Sequence, residues 1–175
     1  MPRLGENGAA YFEACGSVVM GNGFRWATAE DSKALVTLWE ELHRYHVGIN
    51  PERHKMPNEY FFADMMKNFL GSEDYAVILH ETAGNTDAYA VLFVDEFDNP
   101  DEHTRKVCFI EHFMVTESTR GQGIGTALFR EIREYARAEK CDFIRLGVNA
   151  KNPTAIEFYK KMGLIPQSIN MEMKL

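Results

Sequence analysis

The segment Arg120-Gly121-Gln122-Gly123-Ile124-Gly125-Thr126 carries three glycines at alternate positions. It lies between an apolar stretch that ends at Val115 and a helical pattern that begins at its last residue. Glycine lets the backbone turn tightly and approach a ligand closely. The free N–H groups at the start of a helix, together with the helix dipole, attract anions. The chemistry that this segment favours is therefore the binding of a pyrophosphate.

Three phosphate-binding patterns compete for this segment, and spacing separates them. A P-loop ends in Gly-Lys-Ser/Thr, whereas this segment continues as Gly-Thr-Ala. A dinucleotide fingerprint needs its third glycine at the position of Thr126. It also begins directly after its strand, whereas here several residues separate Val115 from the first glycine. The third pattern, Q/R-x-x-G-x-G/A, is matched by Arg120, Gly123 and Gly125.

Hydrophobic periodicity predicts a mixed α/β domain around this segment, with a mostly antiparallel central sheet flanked by helices. The predicted strands are 23–27, 75–80, 88–95, 107–115, 142–148 and 168–174, and the predicted helices are 28–46, 58–70, 126–139 and 153–162. The resulting order is β-α-α-β-β-β-α-β-α-β. The three central strands form an antiparallel meander, so the glycine segment follows the last strand of that meander.

The composition limits the classes of partner. The 175 residues suit one domain, and charged residues interrupt every apolar run before the ~18 residues that span a bilayer. A net charge of -7 disfavours nucleic acid and favours a cationic small molecule. Cys15, Cys108 and Cys141 show no pairing spacing, which predicts reduced thiols and a cytoplasmic protein. Residues 1–20 lack the features of a secretory signal and are interpreted as an extension of a domain over 21–175.

Two further features join the glycine segment in a family resemblance. Asn152, Ala155, Phe158 and Tyr159 match the signature N-x-x-A-x-x-F-Y, which ends here in Gly-Leu instead of the usual Gly-Phe. The segment 109–115 looks like the bulged central strand of the same family. With these motifs the chain resembles the GCN5-related N-acetyltransferase (GNAT) family, whose members bind the pyrophosphate of acetyl-CoA in the glycine loop. The part from 109 to 163 looks particularly like the polyamine acetyltransferase branch, a likeness that is not extended to the substrate.

The resemblance implies that acetyl-CoA is the co-substrate, that a primary amine of a small molecule or peptide accepts the acetyl group directly, and that no metal takes part. It also implies a homodimer. Main-chain N–H groups near Met114 and Val115 are expected to bind the pantetheine arm, and Asn152 is expected to contact the cofactor or to cap its helix. The complete set of expected cofactor-binding residues is Met114, Val115, Arg120, Gly121, Gln122, Gly123, Ile124, Gly125, Thr126, Asn152, Ala155, Phe158 and Tyr159.

Acetyl transfer also needs a neutral amine and a stabilised thiolate. An alkylammonium with a pKa of ~10.4 costs about 4.6 kcal/mol to present neutral at pH 7, so a base is useful. The resemblance implies that Glu111 is this base; His112 is the alternative, on the opposite strand face unless a bulge intervenes. It implies Tyr159 as the acid, or the hydrogen-bond donor, for the departing thiolate.

The resemblance implies that the acceptor site is built from the first two helices, the loop between them and the central strands. That region offers aromatic, imidazole and carboxylate side chains, which together suit an amine: Trp39, His43, Tyr45, His46, Glu52, His54, Glu59, Asp95, Glu96 and Asp98. His43 and His46 lack an HExxH context and a third ligand, so no metal site is expected. Two alternatives remain open: a non-catalytic acyl-CoA sensor, and an enzyme that modifies a protein or peptide.

Overall fold

The computed structural model describes residues 20–58 and 60–174. The extension predicted over residues 1–20 therefore lies, apart from Met20, outside the described residues. The strands are β1 (Phe24–Trp26), β2 (Tyr75–Thr82), β3 (Asn85–Phe97), β4 (Arg105–Val115) and β5 (Phe143–Leu146). The helices are α1 (Ser32–Ile49), α2 (Phe61–Gly71), α3 (Ile124–Ala138) and α4 (Pro153–Lys161).

The five strands form one sheet in the order β1-β2-β3-β4-β5. Every neighbouring pair is antiparallel except β4 and β5, which are parallel because α3 connects them. The tight turn between β2 and β3 uses Ala83 and Gly84, both with positive φ. The mixed fold predicted from the sequence, a mostly antiparallel sheet flanked by helices, is confirmed.

Helices cover both faces of the sheet, and alternate strand residues point to each side. On one face, Leu128 and Ile132 of α3 pack against Ala90 of β3. On the other face, Leu35 of α1 and Met66 of α2 pack against neighbouring strand residues. Because β4 is a central strand between these two layers, its residues can reach a ligand only where the sheet or the helices leave it open.

Local signals explain the helix boundaries. Thr28 and Asp31 form a capping box, with the Asp31 carboxylate accepting a hydrogen bond from the Thr28 N–H at 2.7 Å. The cap leads through a short 3-10 turn into α1, which continues three residues past the predicted end at His46. In the part of the chain that the structure describes, no helix combines the length and apolar character that a bilayer span requires.

The terminal strand predicted over residues 168–174 is not formed. These residues have no regular secondary structure, and Ile169, Met171 and Met173 are exposed. The prediction rested on the alternation of apolar residues, but alternation alone does not supply the neighbouring strand or the covered face that stabilises a strand. β5, at the edge of the sheet, is also shorter than the predicted 142–148.

Candidate active site

A β-bulge in the middle of β4 sets the geometry of the site. Val91 of β3 pairs with His112, whereas the next residue, Leu92, pairs with Ile110, so Glu111 is an extra residue in β4. The bulge changes the alternation of side chains: Ile110 and Phe113, three residues apart, both pack in the α3 layer. The bulge that sequence reasoning left open is therefore present, and it places His112 on the α1 and α2 side.

The sheet opens directly beyond this bulge. The parallel pairing of β4 with β5 ends at Ile110 and Leu146, but β4 continues to Val115. The Thr116 N–H donates to the Asp87 carbonyl oxygen at 2.8 Å, so the peptide groups of Thr116 face β3. Along an antiparallel strand, the N–H and carbonyl groups of successive residues point alternately to the two sides of the strand. Those of Phe113 and Val115 therefore face the opening between β4 and β5.

Met114, which was expected to bind the pantetheine arm together with Val115, has a different environment. Its peptide groups face β3, where it is paired with Tyr89, and its side chain is buried in the α1 and α2 layer. Phe113 was missed from the sequence because its orientation depends on the bulge. The pair of main-chain positions that faces the opening is therefore Phe113 and Val115.

The glycine loop ends at the first turn of α3. Gly121 and Gly123 have φ of 78° and 86°, a left-handed conformation that side chains strongly disfavour. Gly123 is the N-cap of α3, and its carbonyl oxygen accepts a hydrogen bond from the Ala127 N–H at 3.0 Å. The free N–H groups of the first turn, from Ile124 onward, therefore start directly after the loop, as an anion site requires.

Gly125 differs from the other two glycines of the loop. It lies within α3 and has no positive φ; a Cβ built there would lie 3.6 Å from the Phe158 ring and from a methyl group of Val115. Both distances are ordinary van der Waals contacts. The position therefore holds α3 close to β4 and α4, and it could accept an alanine, in agreement with the G/A alternative of the pattern.

The polar side chains of the loop bind the main chain that precedes it. The Nε of Arg120 donates to the Val115 carbonyl oxygen at 3.0 Å, and the Gln122 amide donates to the Ser118 carbonyl oxygen at 3.3 Å. Arg120 therefore joins the end of β4 to the start of the loop. Its guanidinium also lies 5.6 Å from the centre of the Tyr45 ring, within cation–π range.

Asn152 stands at the other side of the opening, where the chain after β5 enters α4. Its buried Oδ1 accepts the Ala155 N–H at 3.1 Å and the Tyr45 hydroxyl at 3.2 Å. The capping role expected for Asn152 is therefore confirmed. Because both lone-pair directions of Oδ1 are used, the Nδ2 amide group is the part of the side chain able to bind a ligand.

Tyr159 lies on α4 in an aromatic cluster with Phe113 and Phe158, with ring centres 5.3 to 5.9 Å apart. Burial raises the pKa of the Tyr159 hydroxyl to about 12. The phenol therefore stays protonated throughout the physiological range. It is suited to donate a hydrogen bond and poorly suited to give up its proton.

Glu111 and His112 are adjacent but chemically different. Glu111 is exposed. The His112 ring lies 4.3 Å from that of Trp39, with Nδ1 3.2 Å from the Tyr89 hydroxyl oxygen. Burial, with a smaller contribution from the nearby histidines, lowers the pKa of His112 to about 3, so its imidazole is neutral and a weak base at pH 7. Of the two base candidates, the geometry favours Glu111.

Three of the histidines expected near the acceptor come together. His54 lies 6.0 Å from His43 and 5.6 Å from His46, ring centre to ring centre. Burial first, and then the neighbouring imidazoles, lower the pKa of His46 and of His54. Across the described residues, no three or more His, Cys, Asp or Glu side chains have the arrangement of a metal site. The lowered pKa values favour the neutral imidazole in His46 and His54.

Three of the acidic residues expected at the acceptor site, Asp95, Glu96 and Asp98, lie on the hairpin of β3 and β4 away from the bulge. Asp95 pairs with Val107, three positions along β3 from the bulge and so about 10 Å from it. Glu96 and Asp98 lie farther along the same hairpin, and Glu59 is outside the described residues. The structure therefore separates the carboxylates of this hairpin from the bulge at Glu111.

Comparisons with known proteins give matches in sequence and in fold. The sequence model of the acetyltransferase (GNAT) family matches residues 34–164. Over 59 residues, the chain is 42% identical to the uncharacterized N-acetyltransferase MJ1207 of Methanocaldococcus jannaschii; the match covers 34% of this chain and 26% of that protein. The chain spans less than half the length of each of the two curated relatives that it matches.

Solved structures share the fold over most of the chain. The tetramutant of the BH1408 protein from Bacillus halodurans is 27% identical and superposes with a TM-score of 0.82, covering 87% of this chain and 99% of that one. The protein AAC(6')-Iy, in complex with a CoA-containing bisubstrate analogue, gives a TM-score of 0.69 at 13% identity, covering 87% and 97% of the two chains. At that identity the second likeness concerns the fold alone.

Proposed function

Because this chain belongs to the acetyltransferase (GNAT) family, we propose that it transfers the acetyl group of acetyl-CoA directly to a primary amine of a small molecule or peptide. One observation carries the proposal: the sheet opens between β4 and β5 beside the bulged Glu111, and the glycine loop before α3 borders the same opening. A thioester in this opening would lie next to a carboxylate.

The cofactor would bind mainly through the main chain. In this proposal the loop from Arg120 to Thr126 holds the pyrophosphate on its N–H groups, with the N-terminus of α3 supplying partial positive charge. The pantetheine arm passes along β4, where the peptide groups of Phe113 and Val115 face the opening, and the Nδ2 of Asn152 donates from the other side. Ala155 and Phe158 of α4 provide the apolar wall.

The reaction forms a carbon–nitrogen bond and breaks the carbon–sulfur bond of the thioester. Glu111 takes the proton that the ammonium group must lose, directly or through a water, and its negative charge attracts the cationic amine. The main-chain N–H of Val115 or Phe113 polarises the thioester oxygen. The exposure of Glu111 supports this role because the amine must reach it from solvent.

Tyr159 would stabilise the leaving thiolate as a hydrogen-bond donor. A thiol like that of cysteine has a pKa of ~8.5, so proton transfer from a phenol of pKa about 12 would be uphill by about 4.8 kcal/mol. A hydrogen bond to the thiolate avoids this cost. The thiolate then takes its proton from solvent after it leaves.

The acceptor amine would approach from the α1 and α2 side, where the ring of Trp39 lies against the neutral imidazole of His112, the residue next to Glu111 in β4. An aromatic face next to a carboxylate suits an amine. The class of amine, the likeness to the polyamine branch, the homodimer and the cytoplasmic location all stay predictions.

Calorimetry with acetyl-CoA, followed by a thiol-release screen, tests the proposal. The screen covers polyamines, aminoglycosides, amino acids and peptides, and we expect saturable cofactor binding and thiol release with at least one amine. Tight binding without release for any amine would favour the acyl-CoA sensor. Release with peptides alone would identify a protein or peptide acetyltransferase, and absence of acetyl-CoA binding would refute the proposal.

A further inference from the structure

Tyr45 of α1 contacts both sides of the opening between β4 and β5. Its hydroxyl donates to Oδ1 of Asn152 at 3.2 Å, and its ring lies 5.6 Å from the guanidinium carbon of Arg120. Asn152 belongs to the chain that follows β5, whereas Arg120 belongs to the loop that follows β4. One side chain from a third element therefore bridges the two segments that separate where the sheet opens.

Contacts on either side of Tyr45 extend this bridge along α1. One turn earlier, the Glu41 carboxylate accepts the Glu117 N–H at 3.2 Å. After the end of the helix, Oδ1 of Asn50 accepts a hydrogen bond from Nζ of Lys151 at 3.2 Å. The C-terminal half of α1 is thus bonded first to the segment after β4 and then to the segment after β5, with Tyr45 touching both.

The two contacts of Tyr45 act on different parts of the opening. The ring supports Arg120, whose Nε fixes the start of the glycine loop by donating to the Val115 carbonyl oxygen at 3.0 Å. The hydroxyl donates to Oδ1 of Asn152, which also accepts the N–H of Ala155 at 3.1 Å. Both acceptor positions of this oxygen are therefore used. This double use holds the amide in one orientation and leaves Nδ2 as its donor.

We propose that Tyr45 is a positioning residue for acetyl-CoA, which fixes Asn152 through its hydroxyl and the glycine loop through its ring. The inference rests on the proposed function and deepens it. The sequence placed Tyr45 among residues near the acceptor; its contacts assign it to the cofactor instead. Tyr45 is 36% exposed, so it is accessible from solvent.

Substitutions separate the two contacts. Tyr45→Phe keeps the ring and removes the hydroxyl, whereas Tyr45→Leu removes both. Acetyl-CoA contains the pantetheine arm that Asn152 would bind, and ADP contains a pyrophosphate without that arm. We expect Tyr45→Phe to weaken acetyl-CoA binding three- to tenfold with unchanged ADP binding, and Tyr45→Leu to weaken the binding of both ligands.

Calorimetry measures acetyl-CoA affinity directly and ADP affinity by competition. Tyr60→Phe, at an exposed tyrosine of the α1–α2 connection, is the matched control and should change neither affinity; thermal melting checks that each variant is folded. Equal acetyl-CoA affinity in Tyr45→Phe would overturn the inference, as would an equal loss for both ligands. Tighter acetyl-CoA binding would also overturn it, since the hydroxyl would then obstruct the opening.

The result for the unmodified protein separates this inference from the function on which it rests. Absence of acetyl-CoA binding by the unmodified protein would refute the proposed function, and this inference with it. Normal binding by the unmodified protein, combined with an unaffected Tyr45→Phe variant, would refute the role of Tyr45 alone.

Discussion

Replacement of Glu111 by glutamine tests the chemistry of the site most directly. The variant Glu111→Gln keeps the size of the side chain and the bulge of β4, but it removes the negative charge and the ability to accept a proton. Because Glu111 is exposed, the substitution should leave the stability of the fold within about 0.5 kcal/mol. The effect should therefore be confined to catalysis.

The expected magnitude follows from the ionisation of the amine. At pH 7 only about one alkylamine in 2,500 is neutral, because its pKa of ~10.4 lies about 3.4 units higher. Proton removal by a positioned base contributes typically 10²- to 10⁴-fold to turnover. We therefore expect Glu111→Gln to lower turnover about 10²- to 10³-fold at pH 7, and the deficit to shrink with rising pH as neutral amine becomes available from solvent.

The assay is thiol release at saturating acetyl-CoA, measured from pH 7 to pH 10 with an amine identified in the screen. The affinity for acetyl-CoA, measured by calorimetry, should be the same in both proteins. A deficit of the same size at every pH would contradict proton removal and would point to an electrostatic role for the carboxylate. Unchanged turnover at pH 7 would refute any role for Glu111 in the reaction.

Three further predictions concern other parts of the molecule. Tyr159→Phe should lower turnover at least tenfold with little change in acetyl-CoA affinity, and unchanged turnover would exclude a role for Tyr159 in the reaction. Since the pKa of this phenol is about 12, its ionisation should cause no decrease in the rate of the unmodified protein below pH 10. Gly123→Ala, at a φ of 86°, should weaken acetyl-CoA binding more than tenfold by calorimetry, whereas Gly125→Ala should change it less than threefold; equal effects would argue against the loop geometry. Hydrogen bonding to Arg25 lowers the pKa of the Asp31 carboxyl in the folded protein. The pair therefore stabilises the fold above the unfolded pKa of ~3.9, and this stabilisation is lost as the pH falls below that value. The melting temperature should decrease less steeply from pH 5 to pH 2 in Arg25→Met than in the unmodified protein, and equal slopes would contradict the pairing.

The elements that surround the site follow from local signals in the sequence. The Thr28 and Asp31 pair identifies the cap before α1, the run of apolar residues at helical spacing identifies α3, and Asn152 before Pro153 identifies the start of α4. Each of these signals lies within a few residues of the feature that it predicts. For this reason the order of elements from β1 to α4 was predictable without knowledge of the packing.

Features that depend on partners distant in the chain could not be predicted in this way. The bulge at Glu111 is a relation between β4 and β3, and nothing in the residues 107–115 alone shows where the extra residue lies. The terminal segment shows the opposite error, since Ile169 and Met171 alternate as in a strand but have no strand beside them. The double contact of Tyr45 joins positions 75 and 107 residues apart and so leaves no local signal.

The extra residue of β4 has a consequence for how this strand tolerates change. A substitution at position 111 alters one side chain and keeps the bulge. A deletion there would remove the bulge and leave the later residues of the strand paired as before, because Ile110 and His112 already pair with the adjacent residues Leu92 and Val91. The peptide groups of Phe113 and Val115 would then still face β5. Loss of a single codon at this position should therefore spare the packing on both faces of the sheet and lower turnover through loss of the Glu111 carboxylate.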